Sequence, residues 1–190
     1  MTALAAGQHC FGESYLQEAI NKIDQLEDAE IVWHFIGRVQ SNKTRPIAEK
    51  FDWVHSVDKL KHAQRLNDQR PDSRPPLNIC LQINIDNEES KGGIKPEQAA
   101  EMVQQISTLP RLQLRGLMTL PSPNETVEEQ RLPFRRLREL RNQLATDALP
   151  LETLSIGMSD DMEAAIAEGS TIVRVGTAIF GPRNYQKRPE

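Results

Sequence analysis

Short apolar, β-branched runs alternate with longer segments of helical periodicity along most of the chain. The runs predict seven strands, at His9–Phe11, Ile31–Ile36, Trp53–Val57, Leu77–Ile85, Leu112–Leu120, Thr153–Ile156 and Thr171–Val175. The intervening segments predict helices, the clearest at Tyr15–Leu26, Asp58–Asn67, Pro96–Leu109 and Val127–Leu144. Alternation of strands and helices is typical of a parallel sheet with helical crossovers.

Two parallel architectures fit this alternation, an open doubly wound sheet and a closed barrel. The open dinucleotide-binding sheet has a glycine-rich turn after its first strand, and FGESY at residues 11–15 does not supply one. The barrel needs eight strands. Ala3–Ala6 followed by Gly7 predicts the end of a helix before the first strand. We therefore predict one α/β domain over residues 1–190, a TIM-type (β/α)8 barrel lacking its first strand and most of its first helix.

Composition narrows the classes of partner. The chain has 190 residues and a net charge of -4, which argues against a nucleic-acid-binding surface. Cys10 and Cys80 form no disulfide framework, and no apolar run approaches the ~18–20 residues of a membrane span. The four histidines and two cysteines lack metal-ligand spacing. These features predict a reduced, cytoplasmic protein without a nucleic-acid, membrane or metal partner.

Two neighbouring strand ends carry small and polar residues, within LSIGMSDDMEAAIAEGSTIVRVGTAIFG at residues 154–181. Ser159 is predicted to be the N-cap of a short helix. Gly176 allows a backbone to approach a ligand, and Thr177 offers an amide and a hydroxyl. The loops after the last two strands of a barrel are its usual phosphate site. This pattern therefore predicts a phosphate-binding cup.

Several charged and polar residues leave alternatives open. Arg174 shares a strand face with Gly176, so it either points into the barrel beneath the phosphate or forms a surface ion pair. If Trp33 and Phe35 pack outward, His34 points into the barrel, where it is either a core histidine or a neighbour of a bound cofactor.

Six motifs in this order resemble those of the pyridoxal phosphate homeostasis proteins, the YggS/PROSC family: FGESY, WHFIGRVQSNK, ESKGG, RGLMTL, LSIGMSDDMEAAI and VRVGTAIFG. The chain is similar, more distantly, to the barrel domain of alanine racemases. The resemblance implies a barrel that binds pyridoxal 5′-phosphate, serves vitamin B6 homeostasis, has no established turnover and is a monomer when full length. It implies an arginine, Arg174, facing the pyridine nitrogen. The predicted cofactor-binding residues are Ser14, His34, Met158, Ser159, Arg174, Gly176 and Thr177.

Two departures from the family pattern bear on the cofactor. Ser14 stands where the family has an asparagine. The family's aldimine lysine, in a V-S-K-T-like motif at the end of the first barrel strand, has no counterpart among the eight lysines of this chain. Lys43 and Lys91 lie in predicted loops, where solvated charge is the ordinary interpretation. We therefore expect no catalytic residue and, at best, non-covalent binding of the cofactor.

Two other function classes remain as alternatives. A racemase-type enzyme would need an opposing base from a second domain. A phosphate-sugar barrel enzyme would need an acid–base pair at strand ends, and the chain shows no such pair. A carrier that binds pyridoxal phosphate is the function that the sequence favours.

Overall fold

The computed structural model describes residues 2–27, 29–88 and 90–181. The strands within that part are β1 (Cys10–Glu13), β2 (Val32–Phe35), β3 (Trp53–Val57), β4 (Leu77–Gln82), β5 (Leu112–Met118) and β6 (Thr153–Ser155). The helices are α1 (Thr2–Ala5), α2 (Leu16–Gln25), α3 (Thr44–Lys50), α4 (Leu60–Gln69), α5 (Ala99–Ile106), α6 (Val127–Leu144), α7 (Met162–Ala167) and α8 (Thr177–Phe180). Short 3₁₀ turns at Ser41–Lys43 and Pro96–Gln98 lead directly into α3 and α5.

The strands form one parallel sheet in chain order, from β1 to β6, with a helix in every crossover. This arrangement confirms the predicted α/β class and the parallel sheet. Over the described ranges β1 pairs only with β2, so the sheet is open between β1 and the chain that follows β6. The carboxyl ends of all six strands lie at one edge of the sheet, which is where ligands bind in parallel folds.

The predicted seventh strand, Thr171–Val175, is wrong as a regular strand. A single parallel bridge joins Ile172 to Ser155, and the Arg174 amide donates to the Gly157 carbonyl at 2.8 Å. The strand that it would pair with stops early, because Gly157 turns the chain away with a φ of +94°. Residues 173–175 therefore run beside a turn instead of a strand.

The two faces of the sheet carry different chemistry. Phe35 of β2 points outward and meets Phe51 edge-on, with 5.3 Å between ring centroids. His34, the preceding residue, points to the opposite face, where its ring stacks on Trp53 at 5.4 Å. Because side chains alternate along a strand, apolar residues pack beneath the helices while polar residues line the inner face. The inner face is where a ligand would meet polar groups.

The longest helix, α6, holds α7 in place. A capping box starts α6, in which Thr126 and Glu129 exchange hydrogen bonds between side chain and backbone. Glu168, which follows α7, is 1% exposed. Its carboxylate accepts contacts of 2.8–3.1 Å from three arginines of α6, which are Arg131, Arg135 and Arg138. This cluster anchors the C-terminal end of α7 to α6.

Candidate functional site

Arg174 lies at the carboxyl ends of β5 and β6 and points to the inner face of the sheet. Its Nη1 donates to the carbonyl and to the hydroxyl of Ser155, both at 2.6 Å. Its Nη2 donates to the Thr119 carbonyl at 3.0 Å. The structure thus places this arginine inward, and the alternative of a surface ion pair is wrong. Cys80, wholly buried on β4, lies near enough to interact with its charge.

The guanidinium of Arg174 has no carboxylate partner among the described residues, and Asp161 acts on it only as a more distant negative charge. Burial lowers the pKa of Arg174 to about 10, which still leaves it charged at neutral pH. Its contacts use three of its five N–H donors. A partly buried cation held only by neutral oxygens favours an additional acceptor, so the arrangement is suited to binding a ligand with an acceptor atom or a negative charge.

Ser159 is placed beside the start of α8, and its hydroxyl accepts the Ala178 amide at 3.3 Å. Successive backbone nitrogens are at most about 3.7 Å apart, so the Ser159 hydroxyl lies within about 7 Å of the Thr177 amide. Gly176 is the residue that precedes α8, and a methyl group added there would have no neighbour within 4 Å. These three residues lie together at the start of α8, and the space next to Gly176 is open.

The predicted N-cap role of Ser159 is wrong. The helix α7 begins at Met162 with Asp161 in the cap position, and no side chain caps it. Asp161 instead accepts the Met158 amide at 2.6 Å, which closes the turn before the helix. The physical reason is that the carboxylate satisfies the turn backbone and delays the first helical residue. The Ser159 hydroxyl is thereby directed to the following segment at α8.

Of the remaining predicted residues, Met158 directly precedes Ser159, whereas Ser14 does not lie at the cup. The Met158 side chain is 40% exposed. Ser14 follows β1 at the other end of the sheet, where its carbonyl lies against Gly37. Over the described ranges, no hydrogen bond joins Ser14 to Arg174 or to the cup. Lys91, a barrel-mouth lysine, contacts Ser122 at 3.1 Å and Glu88 at 3.5 Å.

His34 is connected to Arg174 through two residues that sequence reasoning did not select. His55 of β3 lies 2.8 Å from His34, joining Nε2 to Nδ1, and its own Nδ1 lies 2.7 Å from the Ser155 hydroxyl. His34, His55 and Ser155 are all buried. His55 could have been found by strand alternation, since it lies two residues from Trp53 on the same inner face. Ser155 carries no such signal, because small residues occur at many strand ends.

Burial makes both histidines neutral at pH 7. It lowers the pKa of His34 to about 4, against a smaller opposing influence from the Asp52 carboxylate. It also lowers the pKa of His55, and the neighbouring charges of His34 and Arg174 act in the same direction. A neutral imidazole can both accept and donate a hydrogen bond, so these rings can transmit one hydrogen-bond chain across the inner face.

Stability should therefore fall on mild acidification. Between about pH 6.5 and pH 4 the unfolded chain protonates His34 while the folded chain does not, so the free energy of unfolding decreases as pH falls. From pH 7 to pH 5 this residue alone should cost about 2 kcal/mol. Urea denaturation at the two pH values measures the loss. His34→Gln should show a smaller loss, and His9→Gln, at an exposed histidine, should behave as wild type; equal losses in all three proteins would contradict the assignment.

The described residues offer neither a membrane-spanning helix nor a metal-binding cluster. No helix there has the length and apolar character needed to cross a lipid bilayer. No group of three or more histidine, cysteine, aspartate or glutamate side chains is arranged there to hold a metal ion.

Comparison with known proteins identifies close relatives. Residues 1–184 match the family described as alanine racemase, N-terminal domain. The chain is 57% identical over 183 residues to the pyridoxal phosphate homeostasis protein of Pseudomonas aeruginosa, covering 96% of this chain and 78% of that protein. A structure of PipY from Synechococcus elongatus with pyridoxal phosphate (PLP) bound is 38% identical, with a TM-score of 0.84, covering 95% of this chain and 85% of that one.

A more distant structure shares the fold. Alanine racemase from Corynebacterium glutamicum is 17% identical, with a TM-score of 0.63, and the match covers 94% of this chain and 49% of the racemase. The likeness supports the parallel α/β architecture and, at this identity, nothing about activity.

Proposed function

This chain belongs to the family of the pyridoxal phosphate homeostasis proteins, and we propose that it binds pyridoxal 5′-phosphate and serves intracellular vitamin B6 homeostasis as a carrier without catalytic turnover. Its relative in Pseudomonas aeruginosa bears that family name, and its structural relative PipY was solved with PLP bound. Both likenesses extend over at least 95% of this chain. They support the proposal, but they do not identify which residues of this chain contact the ligand.

The observation that carries the proposal is the partly buried, charged Arg174 without a carboxylate partner in the described residues. Three neutral oxygens hold its guanidinium in place, and two N–H donors remain for a ligand. An unprotonated pyridine nitrogen is a hydrogen-bond acceptor that such a donor suits. We propose that Arg174 faces this nitrogen and stabilises its unprotonated form, because a permanently charged arginine disfavours a second positive charge beside it.

The phosphate would lie at the cup formed by Ser159, Gly176 and Thr177. The hydroxyl of Ser159 and the amide of Thr177 are donors within about 7 Å of each other. Gly176 leaves the intervening space open. Met158, Ser14 and His34 complete the proposed set of residues near the cofactor, His34 acting through His55 rather than by direct contact.

Pyridoxal phosphate, when bound, supplies an electron-withdrawing pyridine ring, and this effect is strongest when the ring nitrogen is protonated. Arg174 opposes that protonation. The residues around it are also poor acid–base groups, since His34 and His55 are neutral at pH 7 and hold each other through hydrogen bonds. These features favour a carrier over an enzyme that abstracts protons.

The remaining expectations are proposals of the same kind. The sheet is proposed to be most of a TIM-type barrel whose first strand would lie between β1 and residues 172–175, where both edges are open in the described ranges. PLP is proposed to bind this chain non-covalently in the cytoplasm, and the full-length protein is proposed to be a monomer. Borohydride reduction followed by mass spectrometry tests the binding mode, and we expect no lysine adduct.

Equilibrium dialysis of the protein against PLP tests the function. We expect saturable binding of one ligand per chain. Gly176→Ala should weaken it by roughly tenfold or more while changing the free energy of unfolding by less than about 0.5 kcal/mol, because the added methyl enters empty space at the cup.

Gly92→Ala is the matched control. A methyl group there meets only Gln82 and Asp58 atoms at ordinary contact distances, 3.4 Å and beyond, and none of the cup residues within 4 Å. It should bind PLP as wild type does. Absence of saturable binding to the folded wild type would refute the function, and equal affinities of all three proteins would refute the cup.

A further inference from the structure

Three buried side chains connect Arg174 to the opposite side of the inner sheet face. The Arg174 guanidinium is 2.6 Å from the Ser155 hydroxyl, which is 2.7 Å from Nδ1 of His55. Nε2 of His55 is 2.8 Å from Nδ1 of His34. The far end, Nε2 of His34, is buried and has no partner in the described residues. Four side chains from β2, β3, β6 and residue 174 thus form one continuous series of contacts.

We infer that this series is one directed hydrogen-bond chain, in which Ser155 donates to His55 and His55 donates to His34, and that Ser155, His55 and His34 are positioning residues that fix the Arg174 guanidinium for its ligand. The direction and the role are separate claims. The direction is a property of the chain alone, whereas the role rests on the proposed binding of PLP.

The number of N–H and O–H donors on each side chain determines the direction of the hydrogen-bond chain. Arginine can only donate, so the Ser155 oxygen accepts from Arg174 and its single proton is free to donate to Nδ1 of His55. His55 then carries its proton on Nε2 and donates to Nδ1 of His34. All groups are satisfied in this direction except the terminal N–H of His34.

The reverse direction leaves two groups unsatisfied. If His55 donated from Nδ1, the Ser155 proton would have no acceptor among the described residues, and Nε2 of His34 would still be without a partner. Each buried group left unpaired costs about 1–3 kcal/mol. The forward direction is therefore favoured.

The chain works only while both imidazoles are neutral, since an imidazolium has two donors and no acceptor. The charged and titratable groups near the two rings are Asp52 near His34, Arg174 near His55, and Cys80 near Arg174. Burial raises the pKa of the Cys80 thiol to about 12, so it is neutral and adds no charge. Burial outweighs the attraction of Asp52, so both rings remain neutral at pH 7.

Fixing the Ser155 hydroxyl matters because it supplies one of the three acceptors that orient Arg174. With its proton directed to His55, the oxygen presents a lone pair toward Nη1. Without this hydroxyl, Nη1 retains only the Ser155 carbonyl, and the guanidinium plane can turn. An arginine that is free to turn holds a single acceptor atom less well than a fixed one.

The test is two-bond ¹H–¹⁵N NMR of histidine rings in the ¹⁵N-labelled protein at pH 7. We expect His34 and His55 both to be neutral, with the proton on Nε2. His34→Gln assigns the signals of His34 by their loss. An Nδ1–H ring or an imidazolium for His55 would overturn the directed chain, and this result needs no variant of Ser155 to fold.

Ser155→Ala tests the positioning role. It should release the tautomer preference of His55 and weaken PLP binding in dialysis by roughly tenfold. Ser56→Ala is the matched control, because it removes another buried hydroxyl of the inner strands, one that donates to the Gly37 carbonyl outside the chain. It should leave both the tautomer and the affinity unchanged.

The outcomes separate this inference from the proposed function. If wild type binds no PLP, the proposed function fails while the tautomers still decide the direction of the chain. If Ser155→Ala changes the His55 tautomer but binds PLP as tightly as wild type, the positioning role is wrong and the proposed function stands.

Discussion

Replacing Arg174 by glutamate should abolish PLP binding and lower the free energy of unfolding by about 3–5 kcal/mol. The substitution puts a carboxylate where three oxygens, the Ser155 carbonyl and hydroxyl and the Thr119 carbonyl, now accept from the guanidinium. Acceptors then face an acceptor in a buried space, and the ligand loses its only proposed ring partner. Urea denaturation and equilibrium dialysis measure the two effects.

Arg111→Glu is the control for charge reversal. Arg111 pairs with Asp72 at 2.6 Å on the surface, where exposed ion pairs contribute about 0–1 kcal/mol. This variant should unfold within about 1 kcal/mol of wild type and retain PLP binding. If Arg174→Glu were as stable as Arg111→Glu and bound PLP, the inward placement of Arg174 would have no energetic consequence, and the account of the site would fail.

Gly116→Ala should prevent the sheet from forming at β5 and β6. A methyl group on Gly116 would lie 1.8 Å from the Thr153 carbonyl oxygen, a backbone atom of the neighbouring strand. No side-chain movement relieves that contact, so the two strands must separate. We expect a loss of more than about 4 kcal/mol, at the upper end of single substitutions, and therefore a poorly soluble protein or one without a cooperative urea transition.

A second glycine of the sheet, on the edge strand β1, gives the comparison. At Gly12 of β1 a methyl group would meet the end of the Ile36 side chain at 3.1 Å, and that side chain can shift. Gly12→Ala should lose about 1 kcal/mol or less and unfold cooperatively. A Gly116→Ala protein as stable as Gly12→Ala would show that β5 and β6 do not pair as closely as described.

Local patterns of apolar residues were sufficient to predict the regular helices and strands. The strand Trp53–Val57 and the helix Val127–Leu144 have the bounds that apolar periodicity predicts. Pro133 lies inside that helix, which nevertheless runs from Val127 to Leu144. Periodicity reports which face of an element is buried, and it therefore identifies elements with many buried positions.

The parts that sequence reasoning missed depend on distant or single contacts. Thr171–Val175 has a strand-like composition, but its partner ends at Ser155 because Gly157 turns the chain. The cap of α7 depended on whether Asp161 turned back to the Met158 amide. Ser155 and His55 are 100 positions apart in the chain, and no local pattern indicates that their side chains meet.

The crystal structure of the protein with PLP at saturation tests the central claim most directly. We expect the phosphate within about 3 Å of the Ser159 hydroxyl and the Thr177 amide, and the ring nitrogen within the same distance of the Arg174 guanidinium. A fully occupied ligand whose phosphate lies elsewhere, for example on the arginines of α6, with Arg174 free of the ring, would contradict the account.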